Sequence, residues 1–177
     1  MPENVIDYLR QPHPQKPAVP AAATARAESE SVSLKEEAHI IHEESRMVLP
    51  GIQALFGFQL IAVFNRPFFD LSPADRIVHL TSLLLIAVAI GLIMAPAAYH
   101  RLADPGVVSK HWIRLASRDI TSAMIALMVA IGLDVYLVTQ MIADDTLIAV
   151  VIGAAAGTVL GWLWFALPLM RAKSRHP

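Results

Sequence analysis

Residues 72–99 read SPADRIVHLTSLLLIAVAIGLIMAPAAY, and the fold class follows from this stretch. Residues 77–99 carry no Asp, Glu, Lys or Arg. As a helix rising 1.5 Å per residue they would extend about 34 Å, enough to cross the roughly 30 Å hydrocarbon core of a bilayer. The stretch opens like a helix: Ser72 is placed to cap it, Pro73 suits the first helical position and Asp75 the third. Inside hydrocarbon every backbone N–H and C=O needs an internal partner, which leaves helices and closed barrels. The length far exceeds a barrel strand, and apolar and polar residues do not alternate.

Similar segments flank it. The spacing predicts spans over residues 48–64, 73–99, 119–141 and 146–170. The first is short and must borrow residues from its flanks. Asp104-Pro105-Gly106 reads as a turn after the second span, and Ala143-Asp144-Asp145 as a tight link between the third and fourth. Composition agrees: 55% of the 177 residues are hydrophobic and only 16% charged, against about 25% charged in a soluble domain. The net charge of −1 offers no basic field, so no nucleic-acid partner is expected. With no cysteine there is no disulfide, thiolate nucleophile or Cys-based zinc site.

The N-terminal region differs. Residues 1–30 are rich in Pro and Ala and read as a disordered cytoplasmic tail without a signal-peptide core. In residues 31–47, Leu34, Ala38 and Ile41 recur at helical spacing among glutamates, which predicts an amphipathic lead-in helix. Residues 173–177 form a short C-terminus. Lys and Arg concentrate in the N-terminal region, in the loop holding Arg101, Lys110, Arg114 and Arg118, and after the fourth span. The other loops hold only Arg66 and Arg76. The positive-inside rule then places both termini in the cytoplasm and Phe68, Phe69 and Tyr136 toward the outer face. Trp112, Trp162 and Trp164 are expected in an inner aromatic belt.

Three stretches carry a resemblance. Leu49-Pro50-Gly51 with Leu55-Phe56-Gly57-Phe58 opens the first span, Ala95-Pro96-Ala97-Ala98-Tyr99-His100-Arg101 closes the second, and Leu167-Pro168-Leu169 with Arg171 closes the fourth. Together they resemble a family of small bacterial four-span membrane proteins of unknown function, over roughly residues 45–172. Some members carry an automatic label of sodium:proton antiporter. The resemblance implies a bacterial inner-membrane location and a transport hypothesis, and it supplies no catalytic motif.

Chemistry-bearing residues inside the spans are few. Asp134 falls about 10 Å inside the outer end of the third span, at helical rise. A mid-helix aspartate costs about 2.5–3.5 kcal/mol to insert, so it needs a partner or water. It reads either as a proton- or cation-binding carboxylate or as one paired with Arg66 or Arg76. Asp119, Ala123, Ala126, Ala130 and Asp134 form one stripe on that helix, suited to close packing or to a narrow polar path. Gln59 and His79, with Ser82 one turn on, share Asp134's expected depth. They could meet it as a proton relay or as a structural hydrogen-bonded cluster.

Gly153, Gly157 and Gly161 make a small-xxx-small repeat for close helix contact, within the chain or between copies. Lys110, Arg114 and Arg118, at i, i+4 and i+8, suit anionic lipid head groups or simple topogenic charge. His39, His42 and Glu43 share a helix face but read as solvated, so no metal and no cofactor is expected. No nucleophile–base pair or phosphate loop is visible.

The sequence therefore predicts an all-α, four-helix transmembrane bundle with both termini inside. It is read as a non-enzymatic packing or accessory protein in contact with the lipid bilayer, as a homo-oligomer or within a larger membrane complex. The alternative is a proton- or sodium-coupled transporter with Asp134 as the coupling carboxylate.

Overall fold

The computed structural model describes residues 21–103 and 109–173, and among these there is no strand. The chain runs through α1 (Ala21–Ala62), the short α2 (Arg66–Asp70), α3 (Pro73–Leu102), α4 (Lys110–Ala143) and α5 (Thr146–Lys173). Of these, α3, α4 and α5 are long and apolar enough to cross a membrane. They cover the second, third and fourth expected spans, with α4 beginning nine residues earlier than the expected Asp119.

The N-terminal part differs from expectation. α1 is one continuous helix of 42 residues, uninterrupted by Pro50. It takes in residues 21–30, expected to be disordered, and erases the boundary between lead-in and first span. Alanine, glutamate and arginine are strong helix formers, and the next turns of α1 find a surface to pack on. Ala38, Leu34 and Ile41 pack against Trp112, Ile113 and Ala116 of α4. Lys110 pairs with Glu30, and the ammonium holds that exposed carboxyl below the usual carboxylate range. The apolar part of α1, residues 47–62, would span about 24 Å, which is short of a full crossing. Residues 1–20, the Asp104-Pro105-Gly106 turn and residues 174–177 lie outside the described residues.

Local signals set the helix ends. Ser72 Oγ accepts the Asp75 N–H at 3.1 Å, with Pro73 in the first turn of α3. Ser109 caps α4 through the Trp112 N–H. Asp144 ends α4 in the left-handed region, at φ 47°, which Asp tolerates better than most side chains. Asp145 then starts α5 by accepting the N–H groups of Leu147 and Ile148. Within α5, residues Trp162–Ala166 form a π-turn that ends two residues before Pro168. A proline lacks the N–H that would reach the carbonyl of Trp164, and the wider turn gives its ring room.

α3 and α4 pack along their length, with α1 against both. Ile52, Ile86, Ala89, Ile93, Leu127 and Ala130 fill the shared core. α5 leans on α4 and stands at the periphery, with only Ala149 and Gly153 of its residues buried. Trp112, expected in an interfacial belt, is instead 1% exposed and packed among α1, α3 and α4. Its indole N–H donates to Pro96 O at 3.0 Å, and its ring lies between those of His42 and His100.

Candidate functional site

Polar side chains from three helices meet near the end of the bundle where α3 begins. Gln59 sits in the last turn of α1, and His79 and Ser82 share one face of α3, one turn apart. Asp134 points at them from α4. The Gln59 amide nitrogen donates to both carboxylate oxygens of Asp134, at 2.6 and 2.5 Å, and to Ser82 Oγ at 2.9 Å. The Ser82 hydroxyl lies 2.7 Å from Asp134 Oδ1 and 3.1 Å from the carbonyl of Ala130, to either of which its proton can go. His79 Nε2 faces the main-chain carbonyl of Gln59 at 3.2 Å, and since that oxygen can only accept, Nε2 is the donor in this contact. The edge of the Phe68 ring, 5.2 Å between centroids, packs on the imidazole.

Gln59, His79 and Ser82 are buried, whereas Asp134 keeps partial exposure. The exposed side is a cavity of about 480 Å³ lined by Gln59, His79 and Asp134 and otherwise mostly by apolar side chains such as Leu55, Phe58, Phe68 and Leu137. Gln59 Oε1 is buried and has no hydrogen-bond partner. Asp134 is not paired with arginine: the Arg76 guanidinium turns to the carbonyls of Phe69 and Leu71, at 2.7 and 3.2 Å.

The arrangement can hold Asp134 in two protonation states. Ionised, it accepts the Gln59 N–H and Ser82 O–H groups. Protonated, it needs an acceptor, and rotating the Gln59 amide by half a turn puts Oε1 where Nε2 now lies. A carboxyl group with full hydrogen bonding either way suits reversible proton binding.

A second polar group adjoins the first. Asp75, buried at the start of α3, accepts the Tyr136 O–H at 2.8 Å and the Ser72 O–H at 2.7 Å. Sequence reasoning gave Asp75 only a capping role and Tyr136 an interfacial one. No spacing links residues on different helices. Tyr136→Phe leaves a carboxylate oxygen of Asp75 buried without its donor, which should cost about 1–3 kcal/mol. The loss would show as a lower midpoint of thermal unfolding in detergent micelles.

The other candidates lie elsewhere. Asp119 is half-buried about 22 Å along α4 from Asp134 by helical rise. Ala123 and Ala130 are buried against α1 and α3 and Ala126 packs beside them, so that part of the stripe is a packing surface. Gly153 is the true close approach of the glycine repeat. Its partner, Gly132 on α4, went unnoticed in the sequence, although Met128, Gly132 and Tyr136 share one face. Gly161 abuts Met128, while Gly157 looks into open space. Lys110 is engaged by Glu30, and Arg114 lines the same groove. Arg118 is exposed. His42 stacks on Trp112 whereas His39 faces Glu43 at 3.8 Å, so the two imidazoles do not converge. Among the described residues no group of three or more His, Asp or Glu is placed to hold a metal.

A family model described as a family of unknown function, DUF6328, matches residues 28–168. No curated protein and no solved structure matches the chain. The match agrees with the resemblance to an uncharacterised family and carries no antiporter description.

Proposed function

The chain belongs to the DUF6328 family, whose function is unknown, and from that premise we propose that it is a membrane protein coupling proton binding at Asp134 to ion movement. The observation that carries this reading is the Asp134 carboxylate held by Gln59 and Ser82 on two other helices, with one side open to a cavity. An acid that only tied the bundle together would gain nothing from that cavity. In this reading residues 47–62 with the flanking turns of α1 make a fourth span, both termini face the cytoplasm of a bacterial cell, and the chain has no enzymatic activity. Lys110, Arg114 and Arg118 then mark the cytoplasmic side.

The test is proton flux into sealed proteoliposomes under an imposed sodium or potassium gradient, read by an internal pH-sensitive dye. Wild type should carry flux, and Asp134→Asn should fall to the level of empty vesicles. Identical traces from all three would sink the proposal for these ions. A second reading, an accessory protein that packs against a further copy or a larger complex, draws support from the thinly covered α5. Its test is the oligomeric state in native-like bilayers.

A further inference from the structure

The cavity beside Asp134 carries more information than a proton site needs. Water and protons require only a narrow polar path, yet this cavity is about 480 Å³. That lies within the roughly 300–1,000 Å³ range of small-molecule pockets. Its walls are apolar: Leu55 and Phe58 from α1, Phe68 from α2, Leu137 and Val138 from α4. Its polar side is rich in acceptors. Asp134 is the only Asp, Glu, Lys or Arg among the lining residues. Gln59 is 6% exposed, and its amide nitrogen is already spent on Asp134 and Ser82. His79 also lines the cavity, Arg76 is engaged elsewhere, and Arg66, exposed between the lining residues Asn65 and Pro67, is not itself part of the lining.

From these features we infer that the cavity binds an amphipathic organic cation with a protonated amine head and an apolar, preferably aromatic, body. This rests on the Asp134 reading above and names the class of ligand that the site accepts. Each half of the ligand has its complement. An ammonium brings N–H donors and no acceptor, which suits a half-exposed carboxylate with no cation paired to it. The positive charge offsets the half-buried negative one, and the face of Phe58 or Phe68 can add a cation–π contact. The body fills apolar walls that a hydrated inorganic ion would leave empty. A neutral alcohol of the same shape would gain the apolar contacts and lose the charge-assisted ones. A carboxylic acid would meet Asp134 as a like charge.

The probes are 2-phenylethylammonium and its neutral counterpart 2-phenylethanol, titrated calorimetrically into the full chain in lipid nanodiscs, with empty nanodiscs as the partition control. The amine should bind wild type about ten-fold or more tightly than the alcohol, and Asp134→Asn should remove that preference. The wild-type comparison alone decides the matter if the variant does not fold. Equal binding of amine and alcohol, or no binding beyond empty nanodiscs, would overturn the inference. Asp134-dependent proton flux without amine binding would overturn the ligand class while leaving the proton site standing. Charge-selective amine binding without flux would support the ligand site and overturn the transport reading.

Discussion

Gly153→Val should separate α4 from α5 and lower stability by about 3 kcal/mol, the upper end of ordinary overpacking costs. Even a Cβ at this position would lie 2.8 Å from the Gly132 carbonyl oxygen and 2.9 Å from Tyr136 Cβ. Neither neighbour is the far end of a flexible chain, so the helices themselves must move. In a membrane, helices gain little from hydrophobic burial against one another, because lipid is equally apolar. Close backbone contact supplies the association instead, and it is lost steeply with distance. Gly153→Ala should show the same effect in weaker form. Gly157→Ala is the control, because a Cβ there meets nothing within 4 Å. It should leave stability unchanged or raise it by up to about 1 kcal/mol through helix propensity. Thermal unfolding of the three variants in one detergent gives the comparison. A loss in Gly157→Ala equal to that in Gly153→Ala would mean that something beyond the chain covers this face.

Trp112→Ala should cost about 3–5 kcal/mol and release the N-terminal half of α1. The indole is the largest side chain in its cluster, and three helices close on it. Truncation leaves a cavity and also strips the Pro96 carbonyl of its indole donor. The rings of His42 and His100 lose the surface between them. Trp112→Phe keeps most of the ring and drops the donor, so its cost should be nearer 1 kcal/mol. Limited proteolysis within residues 21–47 would read the effect directly. Trp112→Ala should be cut much faster than wild type, with the rest of the bundle still protected. Unchanged protection would show that the Lys110–Glu30 pair and the small Ala38 contact hold α1 without the indole.

Both predictions concern contacts between helices, and that is where the sequence stopped being legible. Gln59, His79 and Asp134 could be singled out one by one, because a polar group in an apolar segment is conspicuous. Their common depth could be counted from the segment ends. That their side chains face each other could not, because it depends on the rotation of three helices about their own axes. The Tyr136–Asp75 bond and the pairing of Gly132 with Gly153 escaped for the same reason.

What the amino-acid sequence determined by itself is local. Apolar runs about as long as a bilayer is thick made α3, α4 and α5, because a helix satisfies its backbone groups within its own segment. Ser72, Pro73 and Asp145 set helix starts through bonds to residues two or three positions away. The tertiary structure decided everything lateral. It joined the lead-in and the first apolar segment into one helix, with Leu34, Ala38 and Ile41 packed beside Trp112. It left no room for a side chain at Gly153, while the Cβ direction of Gly157 points into open space. It also turned Asp134 toward Gln59 and Ser82 rather than toward an arginine. Helix formation depends on neighbours along the chain, whereas helix pairing depends on shape and hydrogen bonds between surfaces far apart in sequence.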